Sequence, residues 1–329
     1  MIIGVLGPGG SYSEKAARAW AQKIGHGKIE LQYFEDIEDA FYSAVSEKVD
    51  FAVVPIENSI EGSVGVTLDL LREDGTVISG EIVVKIEHCL LSKGSLNTIR
   101  IILSHPQGLA QCRHFLKRHF PEAELRTTGS TSHAARLAGE FEEMAAIASP
   151  EAAERYGLKI LLSNIQDRKE NHTRFIVVQK ADAGGRSLLS SRSRPCTLGP
   201  YTRGSRTMKA HASDLPDSAK SEESSFSTLS PCKLSASSEP LRPFKTSLLV
   251  YLEKDRPGAL YEFLEVFAKR GVNLTRIESR PSKKELGDYL FYIDIEGHAS
   301  DALIIDALKD IKGKTDMLKV LGSYPVFTG

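Results

Sequence analysis

The sequence predicts an α/β fold over its first half and a small ferredoxin-like α+β module at its end. Three observations carry that reading. Short Val/Ile/Leu runs alternate with helical periods through about residue 180, a βαβα rhythm that builds a covered, mostly parallel sheet. Pattern is lost abruptly near residue 183. It returns at Thr246 in the order βαββαβ over about 80 residues.

Each element has a local cause. IIGVL reads as a first strand and SEKAARAWAQKIG as the helix after it, with Ser11 as cap and Glu14 reaching back. The sequence MIIGVLGPGG lacks a basic leader and so reads as structure, not as a signal peptide. ELQYF and FAVVPIE are strands around the helix IEDAFYSAVSEK, and SVGVTLDLLRE is a third helix. IRIILSH, ELRTTG and AAIAS are further strands, separated by the helical stretches QGLAQCRHFLKRHF and SHAARLAGEFEE. The extended run VISGEIVVKIEHCLL, residues 77–91, breaks the rhythm where the chain passes from one lobe to another. This gives a bilobal domain over residues 1–182, with lobe 1 near 1–78 and 160–182 and lobe 2 near 79–159. Residues 183–245, rich in Ser, Arg and Pro and without period, are expected to be a disordered linker. In the last domain, 246–329, SLLVYLEK, VNLTRIESR, DYLFYIDIEG and DMLKVLGSYP are strands. GALYEFLEVFAKRG and SDALIIDALKDI are helices, the second capped by Ser300, and a turn with Pro281 and Gly287 joins the middle strands.

Composition removes several classes of function. With 42 Lys and Arg against 43 Asp and Glu, the chain has no general attraction to nucleic acid or an anionic membrane. No apolar run approaches the roughly 20 residues that cross a bilayer, so a cytoplasmic location is expected. Cys89, Cys112, Cys196 and Cys232 form no CxxC or Cys/His cluster, so neither zinc nor a disulfide framework is expected.

Candidate chemistry gathers at strand-to-helix turns, where open α/β sheets build ligand sites. GVLGPGGSYSE has Tyr12 where a dinucleotide fingerprint needs its third glycine, and it lacks the lysine of a phosphate loop. VPIENSIEGSVG delivers Glu57 and Asn58 directly off a strand, and SHPQGLAQC places Gln107 and Gln111 one helical turn apart. GSTSHAARLA opens a helix rimmed by Ser130, Thr131 and Ser132, suited to an anion. NHTRF sets Thr173 beside Arg174 and Phe175 at a strand's entrance. His88, His105, His114 and His119 have neither metal-ligand nor triad spacing. Hydroxyls, amides and helix N-termini, with no metal set and no Cys nucleophile, suit an anionic substrate whose own bonds supply the driving force.

Taken in order, LGPGGSYSE, VPIENSIEGSVG, SHPQGLAQC, GSTSHAA and NHTRF resemble prephenate dehydratase. GALY at 258–261 and ESRP at 278–281 resemble the ACT regulatory module that follows it. SYSE stands where TFSE is more usual, and the linker is far longer than the family's. The resemblance implies two lobes like type II periplasmic binding proteins, with the active site between them. It implies loss of water and carbon dioxide from prephenate to give phenylpyruvate, without cofactor or metal. Thr173 would hydrogen-bond the departing hydroxyl, Arg174 would grip the pyruvyl carboxylate, and Phe175 would leave the departing carboxylate poorly solvated. Asn58 and Gln111 would supply oriented amides, and Glu57 would be a proton source or orient Asn58. Ser11, Ser130, Thr131 and Ser132 would line the substrate's anionic end. In the ACT module, Gly258, Ala259, Leu260, Asn273, Leu274, Glu278 and Ser279 would hold L-phenylalanine, a feedback inhibitor, at the interface of a homodimer or homotetramer. Arogenate dehydratase is a neighbouring alternative, and a non-catalytic amino-acid sensor a more distant one.

Overall fold

The computed structural model describes residues 1–181, 244–252, 257–283 and 288–328. Most of the linker expected at 183–245 lies outside these residues, as do Cys196, Cys232 and Gly287. Phe244 and Lys245 are described, and they open a strand two residues before the predicted start of order.

The chain begins β1 (Ile2–Leu6), α1 (Tyr12–Lys23), β2 (Glu30–Phe34), α2 (Ile37–Val45), β3 (Phe51–Asn58), β4 (Gly62–Ser63), α3 (Gly65–Leu70) and β5 (Thr76–Lys85). It then enters a second sheet through β6 (Cys89–Ser92), β7 (Ile101–Ser104), α4 (Pro106–Gln111), α5 (Arg113–His119), β8 (Glu124–Thr127), α6 (Thr131–Ala138), β9 (Met144–Ala148), α7 (Pro150–Tyr156) and β10 (Lys159–Leu162). It returns through β11 (His172–Lys180). The C-terminal part is β12 (Phe244–Leu252), α8 (Ala259–Ala268), β13 (Leu274–Pro281), β14 (Tyr289–Glu296), α9 (Ala302–Lys312) and β15 (Thr315–Thr328).

Both sheets are mixed. In the first, β2-β1-β3 are parallel, and β11 runs antiparallel between β3 and β5. In the second, β8-β7-β9 are parallel, while β6 and β10 are antiparallel additions, giving the order β10-β6-β9-β7-β8. The parallel rhythm read from the sequence therefore holds for three strands of each lobe. The rest are the strands by which the chain crosses between lobes. Those crossings fall at 86–88 and 163–171, not near 78/79 and 159/160. β5 continues pairing with β11 through Lys85, and β10 pairs with β6.

The C-terminal strands take the ferredoxin-like order β13-β14-β12-β15, fully antiparallel. The long β15 then leaves that sheet. Val326–Thr328 pair in parallel with Glu81–Val83 of β5, so one ten-stranded sheet runs through both parts of the chain. Hydrophobic packing follows the same route: Leu249, Tyr292, Leu321 and Tyr324 share a core with Phe41, Leu68, Ile78 and Ile176. Helices α8 and α9 cover the opposite face of the C-terminal sheet through Phe263, Phe267, Ile304 and Ile311.

Local signals explain the helix ends. Ser11 accepts from the Glu14 backbone N–H, but the Glu14 carboxylate reaches one residue beyond the capping box, to the Gly10 N–H at 2.8 Å. The cap of α9 is Asp301, not Ser300. The predicted helix over 107–120 breaks at Cys112 into α4 and α5.

Gly322 lies where β15 passes close to the backbone of Ile78 in β5. Its φ is +155°, and a Cβ there would stand 2.1 Å from the Ile78 carbonyl oxygen. Gly322→Ala is expected to cost about 1–3 kcal/mol by overpacking. It would be seen as a lowered midpoint in thermal unfolding, whereas Gly157→Ala, with nothing within 4 Å, should cost only its φ strain.

Candidate active site

A cavity of about 240 Å³ lies between the two lobes. Lobe 1 contributes the β1–α1 turn (Leu6, Gly7, Ser11, Tyr12, Ser13), the end of β3 (Pro55, Asn58) and the entrance of β11 (Thr173, Phe175). Lobe 2 contributes the start of α4 (His105, Gln107, Gly108, Gln111) and of α6 (Gly129, Ser130, Thr131). Ile86 and His88 line it from the crossing strand. Three helices thus begin at its wall. Their first backbone N–H groups have no partner within the helix and carry the positive end of the helix dipole. Among the described residues lining the cavity there is no Lys or Arg. A larger cleft of about 760 Å³, lined by Tyr42, Asp69, Arg72, Glu73, Leu249 and Lys283, opens beside α2 and α3 and holds no comparable convergence of hydroxyls and amides.

The side chains in the smaller cavity are ordered by hydrogen bonds whose direction can be assigned. The backbone N–H groups of Ile60 and Glu61 both donate to Asn58 Oδ1, at 2.9 and 3.1 Å. The Asn58 amide nitrogen therefore faces the other way, donating to Thr173 Oγ1 and to Asn171 Oδ1, each at 2.9 Å. Asn171 in turn donates to Gln111 Oε1 at 2.9 Å, so that oxygen is the acceptor for His88 Nε2 at 2.8 Å. His88 is then the Nε2–H tautomer, and its Nδ1 is buried without a hydrogen-bond partner among the described residues. Two consequences follow. Thr173 Oγ1 already accepts a hydrogen bond, so its own hydrogen is left for an acceptor in the cavity. The Gln111 amide nitrogen is likewise turned outward, with only a long contact of 3.3 Å to Glu61.

Other polar groups are held firmly. The Tyr12 hydroxyl donates to the Glu87 carbonyl at 2.6 Å, and burial raises its phenol well above the ordinary value, so it stays protonated. The Ser11 hydroxyl donates to the Leu6 carbonyl, and Ser130 caps α6 by accepting from the His133 N–H. Burial raises both the Cys89 and Cys112 thiols, which keeps them un-ionised and inert.

The cavity brings together Thr173, Phe175, Asn58, Gln111, Ser11, Ser130 and Thr131 of the residues singled out in the sequence. It leaves out three. Ser132 is fully buried with its hydroxyl unpartnered among the described residues, because the second position of α6 turns into the lobe. Arg174 faces away from the cavity because strand residues alternate sides, and Glu57, paired with it beside the bulge at Ile56, faces the same way. The Arg174 guanidinium lies instead 2.6 Å from Glu81 and 2.6 Å from Asp294, which removes it as a grip for a substrate carboxylate. Glu57 sits 3.5 Å from Arg174 and 3.6 Å from Arg276, and Asn58 is oriented by backbone N–H groups, not by Glu57. His88, Asn171, Tyr12, His105 and Gln107 were not selected from the sequence. His88 had no partner at helical spacing, since Gln111 reaches it only through the fold.

In the C-terminal part, Gly258 caps α8 with φ +87°, and Leu260 and Leu274 pack against one core. Along β13, Glu278 faces lobe 1, accepting from Ser63 and Arg276, while Ser279 is on the opposite, exposed side.

The fold and cavity define a class: a two-lobed α/β protein with a polar cavity between its lobes, followed by a ferredoxin-like module. The prephenate dehydratase family model matches residues 3–183 and the ACT domain model matches residues 246–313. The chain is 37% identical over 326 residues to the prephenate dehydratase of Methanocaldococcus jannaschii, covering 97% of this chain and 96% of that one. Among solved structures it is similar to the prephenate dehydratase of Arthrobacter aurescens in complex with L-Phe (30% identity, TM-score 0.72, covering 99% of this chain and 90% of that one). It is also similar to GqqA, described as a novel type of quorum quenching acylase (27% identity, TM-score 0.72, covering 99% and 98%). The chain belongs to the prephenate dehydratase family.

Burial lowers the His88 value from the ordinary 6.5, partly offset by its hydrogen bond to Gln111. The folded chain then binds fewer protons at this site than the unfolded chain. Its contribution to stability is present above about pH 6.5 and is lost as pH falls through the lowered folded value. Thermal stability of the wild type should therefore fall more steeply between about pH 7 and pH 5 than that of His88→Gln, which does not titrate there.

Proposed function

We propose that this chain catalyses the decarboxylative dehydration of prephenate to phenylpyruvate, and that L-phenylalanine inhibits it through the C-terminal module. One observation carries the catalytic reading. The Thr173 hydroxyl lines the cavity and accepts from Asn58, which leaves its own hydrogen available to a group departing inside the cavity. In the reaction the ring C–O bond breaks and the departing hydroxide, hydrogen-bonded by Thr173, becomes water with a proton drawn from solvent, since a threonine hydroxyl is too weak an acid to give up its own. The bond to the ring carboxylate breaks as carbon dioxide forms, and its electron pair completes the aromatic ring. Aromatisation supplies the driving force. The protein's part is to stabilise charge growing on the departing oxygen, which a fixed hydroxyl donor does without reorganising.

The substrate's two negative charges are met by helix N-termini, not by a cationic side chain. The backbone N–H groups that open α1 at Ser11 and Tyr12 and α6 at Ser130 and Thr131 would take the pyruvyl carboxylate. Phe175 and Ile86 give the ring carboxylate an apolar neighbourhood, which disfavours the charge that must disappear. Such a site needs no metal. Arogenate, with an ammonium where prephenate has a keto oxygen, would meet the same helix N-termini with less favour, and prephenate is the substrate this lining supports. An acylase reading needs an activated nucleophile, and among the described residues no cavity hydroxyl is hydrogen-bonded to a histidine ring. The chain acts as a cytoplasmic homo-oligomer whose C-terminal modules bind phenylalanine through the α8 N-terminus and the start of β13.

Thr173→Ala should lower kcat by about 10²-fold or more with KM little changed, as for loss of a contact made in the transition state. Aromatic absorbance of the product under alkaline conditions reads the rate. If KM alone moves, Thr173 holds substrate and the leaving-group assignment fails. Added L-phenylalanine should depress wild-type turnover of prephenate; equal turnover with and without it would remove the regulatory half of this proposal.

A further inference from the structure

Arg174 stands between two cavity residues on β11 yet points to the opposite side of the sheet. There it joins a buried cluster drawn from five strands. Its Nε donates to Glu81 of β5 at 2.7 Å, and its Nη1 lies 2.6 Å from Asp294 of β14. Its Nη2 donates to the Tyr324 hydroxyl of β15 at 3.2 Å. Lys245 of β12 donates to Glu81 at 2.8 Å, and Ser247 bonds Tyr324 at 2.6 Å. Arg174, Glu81 and Asp294 are each nine-tenths buried or more. Two cations face two anions, with the half-exposed Glu57 at the rim, so the cluster is balanced only while both parts of the chain stay in register.

We propose that Arg174 is a positioning residue that relays the state of the C-terminal sheet to the Thr173 hydroxyl. This rests on the reading that the chain is a phenylalanine-inhibited prephenate dehydratase. The guanidinium is planar and makes several directed contacts, so it has little freedom to follow one partner while keeping the others. A shift of β14 or β15 against lobe 1 either separates buried opposite charges or carries β11 with it. Because separating buried opposite charges is costly, part of such a shift is passed to β11 through Arg174. Thr173 is the adjacent residue, about 3.8 Å away along the backbone, and a displacement of about 1 Å at a reacting group lowers turnover by about 10²-fold. An effector that binds the C-terminal module and favours one arrangement of β14 and β15 would thereby set the alignment of Thr173 and Asn58, without touching the substrate.

The test uses the full chain with Asp294→Asn, which keeps a hydrogen-bonding side chain but removes the charge facing Arg174. Turnover of prephenate without phenylalanine, inhibition by phenylalanine, and phenylalanine binding by calorimetry are measured together. The expected result is kcat within about threefold of wild type, phenylalanine binding retained, and a half-inhibiting concentration raised about tenfold or more, the size of an ordinary coupling. Tyr324→Phe, which removes the hydrogen bonds to Arg174 and Ser247 but no charge and keeps the ring packed, should shift inhibition in the same direction by a smaller factor and serves if Asp294→Asn does not fold. Folded variants inhibited at wild-type phenylalanine concentrations would overturn the relay while leaving the regulatory reading intact. A wild-type chain that neither binds phenylalanine nor is inhibited by it would overturn that reading, and the relay with it.

Discussion

Side chains on a strand alternate between the two faces of its sheet, and β11 uses that alternation to serve two environments at once. Thr173 and Phe175 face the cavity, and Arg174 faces the buried ion pairs with Glu81 and Asp294. A bulge in the pairing with β3 lies between Arg174 and Phe175, where Phe175 pairs with Pro55 and Ile56 is the extra residue. Removing one partner of a buried pair typically costs about 3–5 kcal/mol, so the arginine fixes β11 against both β5 and the C-terminal sheet. The continuity of the ten-stranded sheet through β15 and the shared core around Tyr324 and Ile78 act in the same sense. The part of the chain that matches a catalytic domain and the part that matches a regulatory one are thus joined by a sheet, a core and a charge cluster.

The cavity solves a different problem. In the proposed reaction it would handle a doubly negative molecule with fixed dipoles, since no Lys or Arg is among the described residues lining it. A lysine or arginine there would stabilise the carboxylate that has to disappear, whereas helix N-termini and amides hold charge in one place without following the reaction. The amide chain from the Ile60 and Glu61 backbone through Asn58, Asn171 and Gln111 to His88 gives those dipoles a single orientation. Every member is an ambiguous rotor in isolation, since amides flip and imidazoles change tautomer. The backbone at Asn58 removes the ambiguity at one end, and the remaining members follow. Ordering donors this way in advance spares the reaction any reorganisation cost.

Local signals in the chain determined a good deal: most of the strand and helix order, with β4, α7 and β10 excepted, the ferredoxin-like order of the last module, the turns that meet at the cavity, and Thr173, Asn58 and Gln111 within it. Those features depend on periodicity, capping and turn chemistry, which act over a few residues. Tertiary structure alone decided the crossings between lobes, the antiparallel strands added to each sheet, and the roles of His88, Asn171 and Arg174. His88 and Gln111 are 23 residues apart, and Arg174 and Asp294 are 120 apart, so no local pattern links them. Whether an arginine grips a ligand or a buried carboxylate depends on which face of its strand the fold leaves open. That choice is made when sheets and lobes pack, because only then does one face become a cavity and the other an interior.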